Sequence, residues 1–461
     1  MSDNPDGQRL DPRVELRLGN CARMRCASDV LMSQGCAIIA ALWLVISQPG
    51  EPERLPAGKP VAAPEQGIGL AVLEDIALRR NPSLALAAAR AQAARGRWVQ
   101  AGLYPNPRIG YDGSEIGNDG RGGQQGGFVG QEIVTGGKLA LSREVAAAEV
   151  SQAERQFEAQ RMRVLNDVRT QFYQVLIAQR GVDLSRDLLA IAERGARAAE
   201  NLFNSNEVGR LDLLQTRVEL NSAKITFQNA MNRQQAAWRT LAAYLGEPDM
   251  PPAALQGDLH TGLTELTWEE SLQQLLIASP DLAAARAAVA RARSALDRAR
   301  VEPIPNFDVE GSVQHDNASG FVIANAVIGF PLPIYNRNQG AIREAESLLR
   351  AANADVARLQ LDLQTRLAAA FERYANARNQ ANTYSQDVLP DARTSLELVN
   401  AGYRQGEYSI IMLLNAQRTY TQTNLAYLDS LRELWESTVS IEGLLLTGSL
   451  QSDSSPRWEA R

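Results

Sequence analysis

The residue types that do chemistry are scarce in this chain, and their spacing keeps them apart. It has two histidines in 461 residues, His260 and His315, and neither has a partner at ligand spacing. A Ser-His-Asp arrangement has nothing to be built from. The acidic pair Glu269-Glu270 opens a predicted helix, where carboxylates favour the positive end of the dipole, and it does not point to acid–base work. The three cysteines, Cys21, Cys26 and Cys36, crowd into the N-terminal segment, so a chain that loses that segment has no thiolate and no disulfide. The glycine-rich stretch Gly117–Gly127 does not join a buried strand to a helix, so it reads as a flexible external loop and not as a phosphate cradle. An enzyme is not expected, nor is a bound cofactor or a metal site. What remains is electrostatic. Asp308 and Glu310 alternate with Phe307, Val309 and Val313, and Asp112 holds a similar place earlier in the chain. Such alternation has period two, apolar on one face and acidic or polar on the other, so the acids share a face.

The elements that would place these acids are mostly helical. The chain is 45% apolar and only 6% aromatic, with a net charge of −6. Its arginines are interleaved with acids, so no nucleic-acid partner is expected. Residues 1–50 depart from the rest: Arg13, Arg17, Arg23 and Arg25 precede an apolar run, Ala37–Ile46, that ends at Gln48-Pro49-Gly50. A charged region, a short apolar run and a polar break describe a signal peptide or signal anchor.

The body of the chain is written twice. Asn81-Pro82-Ser83-Leu84-Ala85 matches Ser279-Pro280-Asp281-Leu282-Ala283, and Pro105 and Pro107 match Pro303 and Pro305. Further on, Arg143-Glu144 matches Arg343-Glu344 and Leu213-Leu214 matches Leu413-Leu414. The repeats span residues 51–247 and 264–448, joined by a Pro-rich linker, 248–263, and followed by a tail, 449–461.

Each repeat has one plan. A first helix (Leu70–Leu103, then Thr267–Val301) ends at a Pro-x-Pro step. Two strands follow, with Phe128–Val134 and Phe321–Phe330 as the returning partners. A very long helix then runs from Lys138 to about Phe203, and again from Gln339 to Tyr403, with Pro390 kinking the second. Second long helices, Leu211–Leu245 and Ile411–Leu446, return from a short loop. At 1.5 Å per residue the first long helix is about 100 Å, a length that demands coiled-coil partners. Four strands cannot close a barrel, and open edges are not viable in lipid, so several copies must pool them.

This plan resembles the TolC family of outer-membrane efflux channels over nearly the whole mature chain. The resemblance rests on the duplication and on Gly402-Tyr403-Arg404-Gln405-Gly406-Glu407-Tyr408-Ser409, followed by Leu413-Leu414-Asn415-Ala416-Gln417-Arg418, with a looser first copy at Phe203…Glu207-Val208-Gly209-Arg210-Leu211-Asp212. Gln131-Glu132-Ile133…Gly136-Gly137-Lys138 looks like the heavy-metal, CzcC- and CusC-like branch. The resemblance implies a mainly α fold in which antiparallel coiled coils form an α-barrel. Four strands per protomer would join a trimeric transmembrane β-barrel in the outer membrane, with the helices in the periplasm. It also implies a periplasmic adaptor and an inner-membrane pump of the RND type. The closing tips would lie around Glu207, Arg210, Asp212, Tyr403, Arg404, Met412 and Asn415, with Tyr403 holding the tip shut by a hydrogen bond. The chain departs from the family just past the second tip, where Met412 and Asn415 replace the expected acids. The barrel lumen would carry Asp112, Asp308 and Glu310. A type I protein-secretion conduit shares this plan, and a pore-less periplasmic scaffold is the structural alternative.

Overall fold

The structure, a computed structural model, describes residues 67–117, 122–259 and 265–451. The expected signal segment, residues 118–121 of the glycine-rich stretch, His260 and most of the C-terminal tail lie outside the described residues.

Proline punctuates the first helix of each repeat. Leu70–Arg80 (α1) stops at Asn81, and Pro82–Ala101 (α2) begins at once. The Asn81 side chain accepts the Ser83 N–H at 2.9 Å, and Pro82 takes a first-turn position where no N–H is needed. Ser279-Pro280 does the same between Trp268–Ala278 (α5) and Pro280–Val301 (α6). The continuous helices expected over Leu70–Leu103 and Thr267–Val301 are therefore two helices each. An alanine-rich apolar pattern carries through both breaks and conceals them.

Lys138–Asn204 (α3) is one unbroken helix of 67 residues, and Arg210–Leu245 (α4) returns from it. The second repeat is interrupted. Gln339–Thr383 (α7) passes through a π-helical turn, Tyr384–Val388, into Leu389–Arg404 (α8). The wide turn ends two residues before Pro390, whose ring cannot fit under a regular helical carbonyl ladder. Ile410–Glu442 (α9) completes the second hairpin.

Arg108–Ile116 (β1), Gly122–Ile133 (β2), Phe307–Asp316 (β3) and Val322–Gly329 (β4) form one antiparallel sheet in the order β1-β2-β3-β4. The glycines expected in an external loop are largely inside β2, which starts six residues earlier than the apolar pattern suggests. A Cβ on Gly126 would collide with the Val313 carbonyl, so the close approach of β3 requires glycine there.

The helices adjoining the sheet keep its order. α2, α3, α6 and α7 pack side by side as do the strands they lead into or out of. Away from the sheet, α4 lies against α3, α3 against α9, and α9 against α7 and α8. One core holds the repeats together, with Leu73, Val164, Val168, Val175, Leu241, Leu245, Leu275, Leu282, Leu363 and Leu367 almost wholly removed from solvent. The segment after α9 is tied back to α3. The Asp167 carboxylate accepts the N–H groups of Gly448 and Ser449 at 2.9 and 2.6 Å, and the Asn166 amide donates to Gly443 and Leu446 carbonyls at 2.8 Å.

Candidate functional site

The register of the sheet decides which side chains share a face. Asp112 stands opposite Gly126, which stands opposite Gln314 on its other side. Because side chains alternate, Arg108, Asp112, Glu132, Asp308, Glu310, Ser312 and Gln314 all fall on one face. The Gln314 amide donates to Asp112, and Arg108 lies 3.5 Å from Asp308. The Asn306 amide, just before β3, donates to Glu132 at 2.7 Å. Glu310 is half-buried on this face.

The opposite face holds Ile109, Tyr111, Val129, Ile133, Val313 and Ile328. The burial is inverted relative to a water-soluble sheet. Gln314 on the polar face is 3% exposed, whereas Ile109 and Ile328 on the apolar face are 79% and 70% exposed. The part of the polar face at Ser312 and Gln314 is covered, whereas the apolar face lies open. An uncovered apolar surface of this kind needs lipid or protein against it. Among the described residues no helix is long and apolar enough to cross a membrane, so the strands carry the membrane argument.

The far ends of the long helices form two loops built alike. In the first, the N–H of Glu207 reaches the Leu202 carbonyl at 2.9 Å, with Asn206 left-handed at φ 58°. In the second, the N–H of Glu407 reaches the Gly402 carbonyl at 2.9 Å, with Gly406 at φ 79°. Both are the same helix-terminating turn, a structural copy of the sequence duplication. The ring of Tyr408 packs where a Cβ on Gly402 would sit.

Among the tip residues singled out from the sequence, Glu207, Arg210 and Arg404 point to solvent. Asp212 accepts the Gly209 N–H at 3.2 Å and so caps α4. Tyr403 packs on Ile410, Leu413 and Leu414, alongside Leu396 and Val399. Its hydroxyl is buried without a hydrogen-bond partner among the described residues. Burial pushes its pKa above the usual tyrosine value, and the Asp212 charge adds to that push. The structure thus brings Tyr403 and Asp212 within electrostatic reach, but the hydrogen bond implied for Tyr403 is not made among the described residues of one protomer. Met412 and Asn415 lie three residues apart on an exposed side of α9.

Two contacts between α4 and α9 join residues that the sequence presents only separately. Leu211, Leu214 and Val218 of α4 face Ile411, Leu414 and Asn415 of α9 across an open cleft. Arg418 and Glu219 bridge the two helices at 3.1 Å, with Glu219 mostly covered. Their separation of 199 residues is close to the repeat spacing, a signal that could have paired them. Among the described residues no group of three His, Cys, Asp or Glu side chains is placed to hold a metal ion.

A sequence model described as outer membrane efflux protein matches residues 73–247 and 271–445, one match per repeat. The cobalt-zinc-cadmium resistance protein CzcC of Cupriavidus metallidurans is 28% identical over 394 residues, covering 83% of this chain and 91% of that one. Among solved structures, CusC, described in terms of folding and transmembrane channel formation, superposes with a TM-score of 0.71 at 18% identity, covering 87% of this chain and all of the other. The open state of the Neisseria gonorrhoeae MtrE outer membrane channel gives a TM-score of 0.67 at 20% identity, covering 82% and 89%.

Proposed function

We propose, starting from the fact that the chain belongs to the outer membrane efflux protein family, that it is the passive outer-membrane duct of a tripartite export system whose cargo is heavy-metal cations. The family consists of transport proteins and not enzymes, and it places the protein in the outer membrane with its helical part in the periplasm. In the proposed assembly three copies close the barrel, because four strands leave two open edges. The helical layer makes the same demand. Its edge helix α4 exposes Leu211, Val218 and Ile225, and the opposite edge exposes Leu348 and Leu361 on α7 and Leu398 on α8. Apolar seams at both edges of a layer suit coiled-coil neighbours from further copies.

Energy for export would come from an RND-type inner-membrane pump, reached through a periplasmic adaptor that engages the two tips. The duct itself supplies a water-filled path and a closure. The observation that carries the metal reading is the 28% identity to CzcC across 83% of this chain and 91% of that one. No tight metal site is needed for this role, since strong binding in a conduit slows release.

The test is growth of a deletion strain on zinc, cobalt, cadmium, copper and silver, and in parallel on dyes, detergents and antibiotics. Sensitivity confined to metals, restored by the gene on a plasmid, is the expected outcome. Sensitivity to dyes and detergents would assign multidrug export instead. No phenotype on any of them would favour the type I protein-secretion conduit.

A further inference from the structure

Within the chain, the first repeat meets the second at a tight joint just below the sheet. There β2 passes into α3 beside the place where α6 passes into β3. The Thr135 hydroxyl donates to the Pro305 carbonyl, and the Thr135 N–H donates to Asn306 Oδ1 at 3.3 Å. Lys138 is 4% exposed and donates to the same oxygen at 3.0 Å, while Gly136 sits against Ile304.

The duplication requires a second joint of the same kind. Its parts are the passage from β4 into α7 and the passage from α2 into β1. Here they cannot meet, because β1 and β4 are the two opposite edges of the sheet. Both passages are left bare and apolar. Leu103 and Tyr104 precede β1 and are 53% and 66% exposed. After β4, Leu332, Ile334 and Tyr335 are 66%, 60% and 91% exposed. The passage after β4 is also longer, nine residues against four, so it can reach past the sheet edge.

We propose that the Phe330–Tyr335 strap of one copy seats on Leu103–Tyr104 of the next, closing between copies the joint that Thr135–Lys138 and Ile304–Asn306 close within one. The inference rests on the multi-copy barrel proposed above and adds where the copies lock. β1 and β4 run antiparallel in the sheet's sense, so pairing them across copies brings the start of β1 beside the end of β4. Alternation fixes the pairing further. Arg108 and Gly329 lie on the polar face, so only registers that keep Ile109 and Tyr111 beside Ala326 or Ile328 turn one continuous apolar band outward.

The experiment is disulfide trapping in the full-length protein with Cys21, Cys26 and Cys36 replaced by serine. Tyr104→Cys is combined in turn with Leu332→Cys, Ile334→Cys and Tyr335→Cys, and the purified proteins are oxidised in detergent. At least one pair is expected to run as covalent multimers on a non-reducing denaturing gel, up to the closed ring, while each single variant stays a monomer. Native mass of the same samples separates the two ideas. An oligomer in which none of the pairs cross-links would overturn the strap and leave the assembly standing. A monomer by native mass would overturn both.

Discussion

Cutting Leu413 back to alanine is expected to raise the basal ion conductance of the purified protein about 30-fold, while its barrel conductance once open stays the same. Leu413 is 3% exposed at the centre of the cluster that fastens α8 to α9 just above the second tip. Burying and then losing such a side chain costs about 2–5 kcal/mol. The cluster is small, so the lower end applies, and about 2 kcal/mol shifts a two-state closure about 30-fold towards open. Opening that parts α8 from α9 dissolves this cluster, which is why the closed state takes the loss. Tyr403→Phe is the informative control. The Tyr403 hydroxyl has no partner among the described residues of the protomer, so removing it should leave basal conductance unchanged if the ring alone closes the tip. A rise in Tyr403→Phe equal to that in Leu413→Ala would show that the hydroxyl finds its partner in a neighbouring copy. Single-channel recording decides between these outcomes.

Neutralising the polar face of the sheet is expected to abolish cation preference. On the β-strands that face carries Asp112, Glu132, Asp308, Glu310 and Asp316 against Arg108, a net of −4 per chain. Asp112→Asn, Asp308→Asn and Glu310→Gln together leave −1. Each unit charge about 10 Å from an ion in water contributes about 0.4 kcal/mol, cut by salt at a Debye length of about 10 Å. Over the nine charges removed from three copies, roughly 1 kcal/mol remains after screening, a several-fold permeability ratio. Reversal potentials under a salt gradient should show cation preference in the unaltered protein and almost none in the triple variant. Asp308 matters in a second way, because Arg108 at 3.5 Å offsets it; Asp308→Asn alone leaves that arginine without this partner. No cation preference in the unaltered protein would sink the lumen assignment.

Much of this was legible in the sequence, for physical reasons that can be named. The long helices declare themselves because glycine and proline are absent from Lys138 through Arg180 and the apolar steps keep helical spacing. Pro390 announces a disturbance and the structure answers with a π-helical turn. The breaks at Asn81-Pro82 and Ser279-Pro280 carried their own signal, a capping side chain followed by a first-turn proline, but continuous alanine on both sides obscured it. β2 was misjudged at its start because glycine has two meanings. A loop and a strand under close backbone approach both call for it, and only the position of Val313 tells them apart. The tip was legible as a place and not as a mechanism. That Asp212 caps its own helix is a local pattern three residues long, but that Tyr403 has an idle hydroxyl and that Arg418 spans to Glu219 depend on how helices pack, which no local pattern encodes.

A multi-copy pore closed at its helical end must conduct by itself and must leak when its closure is weakened. The deciding measurement is planar-bilayer recording of the purified protein with its native mass taken from the same preparation. The expected result is a trimeric mass, discrete conductance steps with no energy source, a low basal level in the unaltered protein and a high one in Leu413→Ala. A monodisperse monomer that stays in solution without detergent, with no conductance in either form, would contradict it.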